Sequence, residues 1–242
     1  MLTKRSEAVF RRYFLNQWTE AEEIWEAAAL WDDLLGDPRF DPQRKTYVAI
    51  DIGRRHDTCA VAYGQYDEDE DLVHVGQKIW QNPHRRNTEE WRNWRMTIAD
   101  VEEFLRGLFK AFPTATALME GDDYYRLPGP AFFYDPHFFS RSAEVLSEDG
   151  LNMREVPQTD TRMVPASQRL FEVIKTGGLV HDGNPTMRKH IRSVVPKERE
   201  RGWRIAKLAA NKAIDGAIAL AMMVYYCTEG IEDGSSQTPN IW

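Results

Sequence analysis

Apolar and polar positions in this chain switch between a helical and an alternating rhythm, and the switches mark its elements. Residues 6–34 keep the helical rhythm: Thr19-Glu-Ala-Glu22 has the form of a capping box, and Trp18, Ile24, Trp25, Ala28 and Trp31 recur at helical spacing. A tryptophan stripe of this kind predicts packing against the next domain. Gly36-Asp-Pro-Arg-Phe-Asp-Pro42 ends the pattern. Within 45–63, two β-branched-rich apolar runs flank Gly53-Arg-Arg-His56, which predicts a hairpin whose first strand is buried on both faces and ends at Asp51. The acidic run 67–71 predicts a solvated turn into a third strand over 72–80. Thr88 then opens a long amphipathic helix, with Trp91, Trp94, Ile98, Val101, Phe104, Leu105 and Leu108 on one face.

Beyond it, 114–120 fits a fourth strand, and 129–135 another that ends in Asp135 before Pro136. Proline cannot continue a ladder but suits the first turn of a helix, so a helix over 137–149, closed by Gly150, follows. Short extended pieces are expected at 152–156, 179–181 and 203–207. Helices are expected at 165–176, from Asn184-Pro185 to about 195, and at 208–226, with a charged turn over 197–202. The pattern predicts an α/β domain: a mixed sheet with helices on both faces. Its division is a helical linker (1–40), the domain proper (41–230) and a loose polar tail (231–242).

Composition narrows this little. Of 242 residues, 42% are hydrophobic and 29% charged, which is ordinary for a globular chain with a real core. No apolar run approaches membrane-spanning length and the charged N-terminus lacks a signal-peptide core, so an intracellular chain is expected. Cys59 and Cys227 are too few for a disulfide framework or a structural zinc site. The net charge of -7 argues against a polyanion partner, but its distribution argues for one. From Arg188 to Lys212, nine Lys and Arg stand against Glu198 and Glu200, a local +7 of the kind a phosphate backbone responds to.

Candidate chemistry lies in the acids. Asp215 stands within the Ala-rich segment Lys212-Ala-Ile-Asp-Gly-Ala-Ile-Ala-Leu-Ala, where a core helix gains nothing from a charge. The small residues around it predict close helix-to-sheet approach, carrying Asp215 toward the strand ends that hold Asp51 and Asp135. Carboxylates so gathered repel, on the order of 4 kcal/mol per pair at 4 Å and an interior dielectric near 20, so a cation is expected among them. Oxygen ligands without zinc-spaced Cys or His select Mg²⁺ or Mn²⁺, and two such ions would clamp the attacking and leaving oxygens of a phosphoryl transfer. Phosphodiester hydrolysis is the chemistry that follows. Each acid also has a plain alternative: Asp51 capping a turn, Asp135 an N-cap, Asp215 paired with Lys212 or Lys207. Asp57 is a further ligand candidate, and Glu120, at the end of 114–120, competes with Asp135 as the second acid. Arg54, Arg55, Lys197, Arg199, Arg201, Arg204 and Lys207 are the candidate DNA contacts, while His181 fits a turn histidine better than a ligand. The phosphate loop Gly-x-x-x-x-Gly-Lys-Ser/Thr is absent.

Four segments carry a resemblance: Val48-Ala-Ile-Asp51-Ile-Gly-Arg-Arg-His-Asp57, Phe133-Tyr-Asp135-Pro, Leu179-Val-His181-Asp-Gly-Asn-Pro, and Arg204-Ile-Ala-Lys207 followed by Ala213-Ile-Asp215-Gly-Ala-Ile-Ala-Leu-Ala-Met. Together they resemble the nuclease domain of the large terminase subunit of tailed bacteriophages, in the RNase H-like (RuvC-like) superfamily. Phe10-Arg-Arg-Tyr-Phe-Leu-Asn-Gln-Trp18 looks like the segment joining that family's ATPase motor to its nuclease. The resemblance implies an RNase H-like mixed sheet, catalytic acids Asp51, Asp135 and Asp215, and Mg²⁺ or Mn²⁺ as two metal ions, with Asp57 supporting one. It also implies cleavage of concatemeric viral DNA during packaging, in the host cytoplasm at the procapsid. Double-stranded DNA, the terminase ATPase domain, the small terminase subunit and the portal protein are the implied partners. The ATPase half has no counterpart here, so an excised domain or a stand-alone protein is expected. The alternatives are a junction resolvase or transposase-like nuclease on the same fold, and a nuclease-dead module that docks DNA.

Overall fold

The computed structural model describes residues 25–53, 58–84, 87–114, 116–120 and 123–229, with the backbone alone of 116–120 and 123–127. Its centre is the expected hairpin. β1 (Tyr47–Ile52) pairs antiparallel with β2 (Thr58–Asp67), which turns through the acidic run into antiparallel β3 (Leu72–Gln81). β6 (Ala131–Tyr134) lies parallel to β1, β7 (Asn152–Glu155) parallel to β6, and β8 (Leu179–His181) parallel to β3. The resulting mixed sheet has the order β7-β6-β1-β2-β3-β8.

Alternation along β1 sends its side chains into two cores. Val48 and Ile50 join a cluster with α3 (Ile98–Ala111) and α4 (Pro136–Glu148), while Tyr47 and Ala49 face the opposite core. That second core is made with α1 (Glu26–Leu30), α5 (Asp160–Thr176), α6 (Pro185–Ile191) and α7 (Asp215–Glu229). Helices therefore cover both faces, as the near-continuous apolar run of β1 required. α7 is apolar nearly all round, which is the signature of a helix enclosed by the fold rather than laid on it. Small residues let it press on the sheet: a carbon added at Gly64 of β2 would stand 2.5 Å from Met223 Sδ. Trp25, Ala28 and Trp31 of the N-terminal stripe are buried in this core, whereas Trp18 and Ile24 lie outside the described residues. Among the described residues no helix is long and apolar enough to cross a membrane.

Several boundaries differ from expectation. The helix expected from Thr88 is two, α2 (Glu89–Asn93) and α3, with the break at Trp94 stabilised by Arg95, whose guanidinium donates to the Arg92 and Trp94 carbonyls. Residues 116–120 do form β4 (Thr116–Glu120), but it pairs with β5 (Asp123–Leu127) in a separate two-stranded sheet. α5 begins five residues early and contains Pro165 in its second turn. α6 ends at Ile191, and the expected charged turn is largely strand: β9 (Val194–Arg199) pairs with β10 (Gly202–Lys207) as a hairpin. Pro196 is tolerated there because this is an edge strand. Finally, 208–214 is a turn, held by Leu208 N–H on Ser193 O and Lys212 N–H on Ala209 O, so α7 starts at Asp215 itself.

Candidate active site

Parallel pairing of β1 with β6 brings two of the acids together. Ile50 stands opposite Tyr134, so the next residues come side by side at the carboxyl ends of the two strands: Asp51, still paired with Ala60 of β2, and Asp135, the first residue past β6. Asp215 arrives from the opposite direction as the first residue of α7, where the amide dipoles favour an anion. The placement corrects the expectation of an acid deep within a helix. Asp51, Asp135 and Asp215 all line one cavity of about 500 Å³. Close approach is possible because residue 53 is glycine: a carbon added there would lie 3.5 Å from Asp215 Oδ2 and 2.7 Å from the Thr58 carbonyl oxygen.

Two of these carboxyls are hidden from water, Asp51 at 7% exposure and Asp215 at 6%. Burial pushes the Asp51 carboxyl up to about 8, with the Asp215 and Asp135 charges adding to it; Gln158 and Lys207 oppose the rise. Each acid also accepts a hydrogen bond. Gln158 Nε2 donates to Asp51 Oδ1 at 2.7 Å, the His137 N–H to Asp135 Oδ1 at 3.1 Å, and the Thr58 hydroxyl to Asp215 Oδ2. Asp135 thus fills the N-cap role of its plain reading and still faces the cavity. The Cys59 thiol nearby is pushed up by burial and by the fields of Asp51 and Asp215, so it stays protonated and supplies no thiolate.

A basic wall faces the acids. Arg199, Arg204 and Lys207 line the cavity from the β9–β10 hairpin. Asp160 accepts from Arg199 Nε and Arg204 Nη1, both at 3.1 Å, and their proximity holds its carboxyl below the usual range. Lys197 and Arg201 are exposed on the same hairpin, outside the cavity. Not all of the +7 stretch faces this way: Arg188 and Arg192 pair with Asp32. Arg54, Arg55 and Asp57 lie outside the described residues. Glu120 belongs to the separate β4–β5 sheet, so its strand does not share the edge that carries Asp51 and Asp135. His181 is a packing residue, stacked on Trp31 with ring centroids 3.9 Å apart and its Nε2 2.8 Å from the Trp31 carbonyl oxygen.

Two residues at the site carried no sequence signal. Gln158 sits in a connection without periodicity. His190 reaches in from α6, where its Nδ1 accepts the Gly216 N–H at 2.9 Å and so takes up one of the open amides of α7. Burial, reinforced by Lys207 and Lys189, pulls the His190 imidazole down to about 4, which keeps it the neutral acceptor this bond needs.

A second acidic group, Asp67, Glu70 and His74, has ligand atoms within 4.8 Å of one another. Its charges are already matched: Arg44 Nη1 lies 2.8 Å from Asp67 Oδ2, and Arg39 Nη2 donates to both Glu70 oxygens at 2.5 Å. His74 Nδ1 accepts from the Arg39 N–H at 3.1 Å, which leaves the proton of the neutral ring on Nε2 and removes the lone pair a metal would use there.

The fold has counterparts among known proteins. Residues 3–230 match the family model described as the terminase large subunit, endonuclease domain. Protein YmfN of Escherichia coli strain K12 is 26% identical over 241 residues, covering 89% of this chain and 51% of that protein. The crystal structure of the HK97 bacteriophage large terminase shares the fold with a TM-score of 0.66 at 19% identity, over 90% of this chain and 47% of that one. The large terminase nuclease from thermophilic phage G20c with bound magnesium gives 0.56 at 13% identity, over 85% of this chain and 98% of that one. The chain thus spans about half the length of the curated relative it matches and nearly all of an isolated nuclease domain. With its RNase H-like mixed sheet and its match across 3–230, the chain belongs to the family of terminase large subunit endonuclease domains.

Proposed function

We propose that this chain is a metal-dependent DNA endonuclease that cuts concatemeric viral DNA during genome packaging. The observation that carries the reading is the convergence of Asp51, Asp135 and Asp215 on one cavity, with the Asp51 carboxyl raised by burial and by its acidic neighbours. The donors present fit Mg²⁺ or Mn²⁺: they are hard carboxylate oxygens, with the nearby thiol held protonated. The G20c nuclease, which shares the fold, has been solved with magnesium, cobalt and zinc bound, in keeping with a divalent site.

Asp51, Asp135 and Asp215 would hold two ions, with Asp57 supporting one. Bound there, the ions would supply an activated water and offset charge on the scissile phosphate. The chain's own part is to give up the Asp51 proton on binding, to fix the carboxylates on rigid strand and helix ends, and to seat the DNA backbone. Arg199, Arg204 and Lys207 offer phosphate contacts at the cavity and Lys197 and Arg201 along the hairpin, and Arg54 and Arg55, between β1 and β2 in the sequence, are proposed to add to them. Residues 1–40 would link the domain to an ATPase motor half. The small terminase subunit and the portal protein would be further partners, at the procapsid in the host cytoplasm; 231–242, the expected tail, lies outside the described residues.

Incubating supercoiled plasmid with the protein and Mn²⁺, with and without chelator, tests the reading. Nicked and linear products are expected only without chelator and only from the parent, not from Asp51→Asn. Full cleavage by Asp51→Asn would overturn the assignment. Preference for a four-way junction over linear duplex would move it to a resolvase.

A further inference from the structure

Gln158 occupies a position that neither a buried core nor a free surface loop requires. It sits between β7 and α5, half-buried, and lines the same cavity as the three acids. Its amide Nε2 donates to Asp51 Oδ1 at 2.7 Å across 107 positions of sequence. Its own backbone carbonyl is held in turn: Arg204 Nη1 donates to Gln158 O at 3.0 Å and to Asp160 Oδ1 at 3.1 Å. The connection is thus tied to the basic hairpin on one side and to the acid on the other.

The chemical type of the contact matters. A lysine or arginine on Asp51 would cancel the charge that attracts a cation, and an acid would add another negative group to a site already crowded with them. An amide does neither. It occupies one lone pair of Oδ1, restrains the rotation of the carboxylate, and makes no claim on Oδ2 or on the second lone pair of Oδ1. Building on the nuclease reading, we propose that Gln158 is a positioning residue that sets the orientation of the Asp51 carboxylate for a divalent cation, with Arg204 holding the glutamine in place.

The test is calorimetric titration of the full chain with Mn²⁺ alone, alongside thermal unfolding in chelator and plasmid cleavage at saturating Mn²⁺. Loss of a hydrogen bond to a metal-ligating group characteristically weakens affinity or activity 10- to 100-fold, so Gln158→Ala is expected to bind Mn²⁺ about tenfold more weakly. Its kcat should fall while KM for DNA and the melting temperature in chelator stay near the parent's. Gln158→Glu should melt lower than the parent in chelator and gain more from added Mn²⁺. A Gln158→Ala protein with Mn²⁺ affinity and kcat within twofold of the parent overturns the proposal alone. A lowered melting temperature with unchanged Mn²⁺ affinity makes the contact structural and overturns it too. A parent that binds no Mn²⁺ removes the nuclease reading along with it.

Discussion

Asp67 and Asp51 are both buried aspartates on neighbouring antiparallel strands, at opposite ends of the sheet, and their surroundings drive them in opposite directions. At Asp67, burial pushes the carboxyl up, but Arg44 and the Asp69 amide outweigh it and the group ends below the usual range. At Asp51, burial is reinforced by Asp215 and Asp135, and only the Gln158 amide and the charge of Lys207 resist. One acid is finished within the fold. The other is left in need of a cation, which is what separates a structural carboxylate from a candidate ligand more clearly than burial or residue type does.

The sharpest way to break the contrast is to neutralise each acid and measure plasmid cleavage in Mn²⁺. Asp51→Asn or Asp215→Asn should remove several kcal/mol of transition-state stabilisation, on the order of 10³-fold in rate. Asp67→Asn should stay within twofold. The order reverses for stability. Arg44→Leu leaves Asp67 charged and buried with backbone amides but without its cation, and should cost about 2 kcal/mol in urea unfolding. Asp51→Asn in chelator should cost nothing and stabilise at alkaline pH. The sign follows from proton uptake: with its carboxyl raised to about 8, folded Asp51 keeps a proton that the unfolded chain has already released above about pH 4. Metal-free stability should therefore fall from about pH 4 to pH 8 in the parent and fall less in Asp51→Asn.

A gentler effect is expected in the metal dependence itself. Because a cation must displace the Asp51 proton, the Mn²⁺ concentration for half-maximal cleavage should drop as pH rises toward 8 and level off above it. The smallest difference lies between basic residues. Lys197→Ala or Arg201→Ala should reduce the salt slope of DNA binding by about one each, whereas Arg188→Ala, whose partner is Asp32, should leave it unchanged.

The sequence carried the central hairpin, both sheet faces and the meeting of three acids at one cavity, because each rests on a local signal: a doubly buried apolar run, an Asp-Pro junction, a charge among alanines. What it concealed has equally physical causes. Helical spacing runs unbroken from Trp91 to Leu108, so nothing in the periodicity marks the break that Arg95 secures. β9 is a half-solvated hairpin strand with Pro196 and three charges, which hides its alternation. Leu208-Ala-Ala-Asn-Lys-Ala-Ile favours helix by composition, yet tertiary contacts delay α7 until Asp215. Gln158 and His190 act through long-range side-chain contacts, for which a sequence pattern holds no trace.

Mounting Asp215 on α7 has a mechanical corollary. The helix is wedged between the sheet and α5 with nearly every side chain enclosed, so it has little freedom to tilt or slide without opening the core. Asp215 is therefore a fixed anvil, and the groups that line the cavity with it meet a carboxylate whose mounting does not move.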